Sequence, residues 1–231
     1  MFTNRAHRPV RSYVIREGRL TPGQERALED HWSAFGVDLQ SVEMPIDFSR
    51  LFGNRGPVVM EIGFGDGGAL REMAQSYPEW NLLGVEVHRP GIGNLLLRLA
   101  RDGICNVRVV RGDAVELLVQ AIAPDSLHRI HLYFPDPWPK KRHHKRRILS
   151  AEFADLVASR LVPGSGMFHF ASDWEDYAEH ALEVLTDCPL LINTDASGGY
   201  TPRPAWRPET RFERRGQRLG HQVRDILMRR S

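Results

Sequence analysis

Between residues 57 and 185, apolar runs short enough for buried strands alternate with helical patterns, and nothing else in the chain constrains its fold as much. Strands are predicted at Pro57–Ile62, Asn81–Val87, Val107–Val110, Arg129–Phe134 and Met167–Ala171. Helices are predicted over about 69–77, 92–101, 115–121, 150–160 and 177–185. Such alternation gives an α/β chain with a Rossmann-like, doubly wound, mostly parallel sheet and helices on both faces. Upstream, Thr21-Pro22-Gly23-Gln24 opens a helix running to about Phe35, with a hydroxyl N-cap, a proline at the first helical position and a capping-box Gln. Downstream, an irregular stretch to Pro208 precedes a last strand over 221–228. At 231 residues, 42% hydrophobic, the chain reads as one domain: residues 1–50 supply an Arg-rich segment and a helix, and 51–231 the sheet core.

Open α/β sheets place their chemistry beyond the carboxyl ends of the strands, so the residues there are the candidates. After the first strand comes Glu61-Ile62-Gly63-Phe64-Gly65-Asp66-Gly67-Gly68, in which Gly63 and Gly65 let the backbone pass close to a nucleotide-like ligand. Glu86 ends the second strand, where an acid accepts ribose hydroxyls, and Asp113 follows the third, placed to accept from an adenine amine. These residues fit adenosine, and Gly63, Gly65 and Gly68 also satisfy a dinucleotide fingerprint. Glu61 separates the two readings. An acid directly before the glycines suits the sulfonium and ammonium of S-adenosylmethionine and repels a pyrophosphate. After the fourth strand, Pro135-Asp136-Pro137-Trp138-Pro139 holds an acid between prolines and runs straight into Lys140-Lys141-Arg142-His143-His144-Lys145-Arg146-Arg147.

That run carries six cations and no acid. With residues 1–20 and 203–230 it amounts to about +16 against about −14 for the rest of a chain whose net charge is +2, the pattern of a basic nucleic-acid face on an acidic body. All three lysines of the chain, Lys140, Lys141 and Lys145, fall inside it, which points to a need for a compact ammonium there. Trp138 and Trp174 are candidates to stack on an unpaired base or to pack at the rim of the sheet, while Tyr133 and Phe134 read as core. Cys105 and Cys188 form no CxxC pair and read as small buried residues in a reducing compartment. His143 and His144 lack a third ligand, so no metal site is expected. No apolar run approaches the roughly eighteen residues that span a bilayer, and the basic N-terminus lacks a signal-peptide core, so a cytoplasmic protein without membrane contact is expected.

From Arg11 to Met228 the chain closely resembles the bacterial tRNA (guanine-N7-)-methyltransferases. The matching stretches are Arg11-Ser12-Tyr13, Gly18-Arg19-Leu20-Thr21, Glu61 to Gly65, Gly84 to His88, Tyr133 to Lys140, Ser172-Asp173-Trp174 with Tyr177, Thr210 to Glu213 with Gly216, and Leu219-Gly220-His221. Arg211 stands where that family usually has Lys, and Ser172 where it usually has Thr. The resemblance implies a class I methyltransferase fold and methylation of a guanine in the tRNA variable loop. It implies that Glu61, Glu86, Asp113 and Asp136 line the S-adenosylmethionine site, with Asp136 also the catalytic aspartate. Lys140, Asp173, Thr210, Arg211, Phe212 and Glu213 would contact the substrate, and residues 142–147 the RNA. A monomer or homodimer needing no other protein is expected. Two rival readings share parts of this pattern. A nicotinamide-dependent oxidoreductase would have no use for residues 140–147, and a non-catalytic RNA-binding protein would gain by losing the acids.

Overall fold

The computed structural model describes Tyr13, residues 18–218 and residues 220–231. Most of the Arg-rich segment expected over residues 1–20 lies outside them, as do Leu219 and the side chains of Arg211 and Phe212.

Seven strands form one sheet: β1 (Val58–Ile62), β2 (Asn81–Glu86), β3 (Val107–Arg111), β4 (Arg129–Tyr133), β5 (Met167–Ser172), β6 (Leu191–Asn193) and β7 (Arg224–Arg230). Their spatial order is β3-β2-β1-β4-β5-β7-β6. The first five are mutually parallel, whereas β7 inserts antiparallel between β5 and β6. The chain winds outward from β1 through β2 to β3, then returns to β4 on the other side. This reversal opens a crevice above the carboxyl ends of β1 and β4, where an open α/β sheet takes its ligand.

Helices α1 (Pro22–Phe35), α3 (Gly68–Ser76) and α4 (Arg89–Arg101) cover one face, packing Phe35, Leu70, Met73, Ile92 and Leu95 against Val59, Leu82 and Val109. On the other face α5 (Ala114–Gln120), α6 (Ala151–Arg160) and α7 (Glu175–Asp187) pack Leu117, Phe153, Val157 and Tyr177 on Met60, Ile130, Phe168 and Ile226. The strands are buried on both faces, which is why they read in sequence as continuous apolar runs. Helix α1 begins as its sequence dictates: Gln24 N donates to Thr21 Oγ1 at 3.3 Å, and Thr21 N to Gln24 Oε1 at 2.8 Å.

Four elements were not read from the sequence. They are α2 (Phe48–Phe52), a 3-10 helix at Lys141–Arg146, the short β6, and α8 (Arg211–Arg218). Cys188 is buried as expected, but Cys105 is exposed in the turn between α4 and β3, where the neighbouring Ile104 and Val107 take the core positions instead.

Candidate active site

A cleft of about 410 Å³ opens at the topological switch point. Its walls come from the glycine turn after β1, the ends of β2 and β4, and the start of α5, with Tyr13 closing one side. Glycine is required in the turn because Gly63 and Gly65 hold φ of 70° and 60°, in the left-handed region. The helix beyond must also be bare: a Cβ on Gly91 in α4 would sit 2.0 Å from the carbonyl oxygen of Gly65.

Glu86 organises this corner. Its Oε2 accepts from Gly65 N at 2.9 Å, and its Oε1 from Val87 N at 2.7 Å and His88 N at 2.9 Å. Three of roughly four acceptor sites are thereby filled, leaving the edge that faces the cleft one further bond. Asp113 caps α5, accepting from Val115 N at 2.8 Å and Glu116 N at 3.3 Å through Oδ1, and it too lines the cleft. Ile62, Val85, Leu132 and Ile148 supply apolar walls.

Glu61 lies behind the glycine turn rather than in the cleft wall. It is 3% exposed, and its Oε2 has no hydrogen-bond partner among the described residues. Burial, with added repulsion from Glu86 and Asp66, pushes its carboxyl up to about 8. Across the β1–β4 pairing stands His131, fully buried, both ring nitrogens without a partner among the described residues. Burial holds His131 neutral, so it gives Glu61 no counter-charge. A buried acid lacking a cation beside a cleft lined by Glu86 and Asp113 fits a ligand that brings its own cation, as S-adenosylmethionine does.

Strand β4 ends in strain. Phe134 and Trp138 hold φ of 49° and 47°, so two non-glycine residues in the left-handed region bracket Pro135-Asp136-Pro137. Each costs on the order of 1–3 kcal/mol and persists only where its surroundings fix it. Phe134 N donates to Ala171 O at 2.8 Å, and Arg147 Nε to Pro137 O at 3.0 Å. Asp136 is exposed at the mouth of the cleft, and the 3-10 helix of cations follows directly. Lys140, Lys141, Arg142 and Lys145 point to solvent, Arg146 lies 4.8 Å over the ring of Trp138, and His143 meets that ring edge-on at 6.0 Å. Trp138 thus meets both Arg146 and His143, and Trp174 packs partly buried against the core. Tyr133 is core and Phe134 packs half-buried beside it.

Asp173 follows β5, the neighbour of β4, so the two strand ends bring Asp136 and Asp173 to one edge. Asp173 opens onto a second cleft of about 710 Å³ shared with Trp174, Asp176, His221 and Arg224. Gly216 of α8 packs on it so closely that a Cβ would lie 2.7 Å from Asp173 Oδ2. Of the Thr210–Glu213 stretch, the half-buried Thr210 hydroxyl accepts from Glu213 N at 3.0 Å. Glu213 points inward, 4% exposed, its carboxylate held by Arg207 through bonds of 2.5 and 3.1 Å. The same guanidinium grips Asp225 of β7 at 2.6 and 2.9 Å. Burial alone would raise the Asp225 carboxyl, but bonds from His169 and Arg207 carry it below the usual range. His169 Nε2 lies 2.7 Å from Asp225, which fixes the proton on that nitrogen and leaves Nδ1 to accept from Tyr133 Oη at 3.0 Å. One continuous buried chain therefore links α8 to the floor of the first cleft. Sequence reading missed Arg207, His169 and Asp225; for His169 and Asp225, polar residues at strand positions otherwise filled by apolar ones were the available signal, whereas Arg207 in its turn gave none.

The structure thus gathers Gly63, Gly65, Glu86, Asp113 and Asp136 at one cleft, sets Glu61 behind it, and turns Glu213 and Arg147 inward. Among the described residues, no group of three or more His, Cys, Asp or Glu is arranged to hold a metal ion, and no helix is long and apolar enough to cross a membrane.

Similar folds occur in a 16S rRNA methyltransferase, KamB, with a TM-score of 0.57 at 16% identity over 86% of this chain and 99% of that one. A 30S ribosomal A1408 methyltransferase from an uncultured bacterium gives 0.54 at 11% identity over 80% and 95%. The sheet is accordingly the class I methyltransferase fold. The family model described as "Putative methyltransferase" matches residues 55–226. A tRNA (guanine-N(7)-)-methyltransferase of Vibrio cholerae serotype O1 is 52% identical over 224 residues, 97% of this chain and 93% of the relative. One from Alkalilimnicola ehrlichii is 53% identical over 222 residues, 96% and 93%. With identity of that order over nearly its whole length, the chain belongs to the tRNA (guanine-N(7)-)-methyltransferase family.

Proposed function

We propose that the protein transfers the methyl group of S-adenosylmethionine to N7 of a guanine in the variable loop of tRNA. The observation that carries this reading is the position of Asp136, on a loop that ends the wall of the cleft lined by Glu86 and Asp113 and begins a solvent-facing run of cations.

Bound S-adenosylmethionine supplies an electrophilic methyl on a sulfonium. Glu86 and Asp113 would accept from the adenosine, and Glu61, behind the cleft wall, would act on its cationic end through charge rather than contact. Lys140, Lys141, Arg142 and Lys145 draw in the RNA phosphates, with Lys140 nearest the loop of Asp136. Guanine N7 carries a lone pair and no proton, so neither a general base nor a metal is needed to make it a nucleophile. Methyl transfer to that nitrogen would leave on the purine the positive charge that the sulfonium loses. Asp136 stabilises that charge or accepts from the Watson–Crick edge of the base, and Asp173 provides a second acceptor. Positioning supplies much of the remaining rate, on the order of several kcal/mol. The Thr210–Glu213 segment shapes the acceptor side, with Glu213 acting through Arg207.

The test is transfer of labelled methyl to unmodified tRNA, followed by borohydride and aniline cleavage, which cuts at 7-methylguanine. Label with cleavage in the variable loop is expected. Label without cleavage would move the target atom, and no label with tRNA binding intact would leave a binding protein. Asp136→Asn is expected to lower turnover by at least about a hundredfold, the scale of a lost electrostatic contact to the reacting group.

A further inference from the structure

Counted by charge, Arg147 is the last cation of the basic run. By geometry it does not belong to the RNA-facing surface. Its side chain is 3% exposed, whereas Lys140, Lys141, Arg142 and Lys145 stand in solvent. Two of the guanidinium nitrogens and its plane are engaged. Nε donates to Pro137 O at 3.0 Å, Nη2 donates to Asp176 at the start of α7 and lies 3.3 Å from His144 Nε2, and the plane sits 4.7 Å over the ring of Tyr177. Pro137 follows Asp136 directly, and the same Tyr177 is near enough to feel the Asp136 charge.

We propose that Arg147 is a positioning residue for methyl transfer, a buried pin that ties the Asp136 loop to α7 and makes no contact with tRNA phosphate. The loop needs such a pin. Its front is anchored where Phe134 N meets Ala171 O, but its rear turns through the left-handed Trp138, and the Arg147 bond to Pro137 O fixes that side. The choice of residue follows from shape: one planar fork spans a backbone carbonyl and a carboxylate at once while stacking on an aromatic ring. An ammonium would reach only one of them. The proposal rests on the reading of Asp136 as catalytic.

Salt dependence separates a pin from a phosphate contact, because each phosphate neutralised adds about 0.7 to 0.9 to the log–log slope of binding against salt. Binding of tRNA at several salt concentrations, and kcat and KM for tRNA, would be measured for wild type, Arg142→Ala, Arg147→Gln, Arg147→Lys, Asp176→Asn and Asp136→Asn. Arg142→Ala calibrates the assay and should flatten the slope by about 1. Arg147→Gln should leave the slope unchanged and lower kcat at saturating tRNA by about ten- to a hundredfold. Arg147→Lys should not restore kcat. Asp176, being 61% exposed, tolerates substitution, so Asp176→Asn loosens the pin from its other end should Arg147→Gln fail to fold. It too should lower kcat without flattening the slope. A flattened slope in Arg147→Gln, or wild-type kcat in both Arg147→Lys and Asp176→Asn, overturns the proposal. If Asp136→Asn abolishes turnover while the Arg147 variants change only affinity and slope, this proposal falls alone. If Asp136→Asn turns over like wild type, both readings fall together.

Discussion

A carboxyl group buried as deeply as Glu61 holds its proton to higher pH than an exposed one and gives it up more readily when a cation comes near, so on the proposed reading this one residue would link donor binding to pH. Its folded value, about 8, lies above the 4.5 of an exposed Glu. The sign follows directly: the ligand-free protein carries no penalty from Glu61 below about pH 4.5 and loses stability progressively as pH rises towards 8. Near pH 7 the group is mostly protonated without ligand, and an arriving ammonium would discharge the proton. Calorimetry of S-adenosylmethionine binding in buffers of different ionisation enthalpy should therefore record release of nearly one proton at pH 7, falling to none above about pH 9. Glu61→Gln should abolish that release and weaken binding, yet raise the melting temperature of the ligand-free protein at pH 8, by about 1–3 kcal/mol in stability. The acid ahead of the glycines was legible in the sequence because a charge at the end of an apolar strand is conspicuous. That it sits behind the cleft wall, opposite a neutral His131, was not, because pairing across β1 and β4 depends on strand order.

At the scale of elements, legibility tracked the source of stability. Strands β1 to β5 and helices α1 and α3 to α7 are held by apolar faces, and apolar periodicity announces them. Helix α8 and the 3-10 helix carry little but charge, and each is held by one arginine: Arg207 grips Glu213 and Asp225, and Arg147 grips Pro137 and Asp176. Counting charges along a sequence treats every arginine as surface, so both clamps were read as part of a basic face. Strand β6, three residues long, exists because β7 offers it an edge. The buried clamp has a measurable weight. Arg207→Met removes one cation from between two carboxylates and should cost about 3–5 kcal/mol by denaturant unfolding, the range for breaking a buried ion pair from one side. Tyr133→Phe cuts only the far end of the same chain, one hydroxyl bond to His169, and should cost about 1 kcal/mol.

Over the whole molecule, charge is sorted more than it is accumulated. A net charge of +2 would give little long-range attraction to RNA, but the exposed part of the run at 140–146 concentrates cations beside Asp136. Replacing Lys141 and Arg142 together by Ala should flatten the salt dependence of tRNA binding by about 1.4 to 1.8 in log–log slope, with association slowing more than dissociation quickens. The alternation of strands and helices was enough to anticipate the sheet and its crevice, and the motifs at the strand ends to anticipate which residues line that crevice. The surroundings of the second cleft were harder to see, since they are built from a returning strand and an arginine-rich helix whose partners lie far away in sequence.

The position of β7 sets an order in time. Every residue assigned here to the methyl donor has been synthesised by Asp136, whereas the Arg207 clamp cannot close until Asp225 emerges some ninety residues later. On the ribosome, the cleft proposed to take the donor therefore has all its lining residues well before the Arg207 clamp can form, and the last strand to be made is the one that joins them.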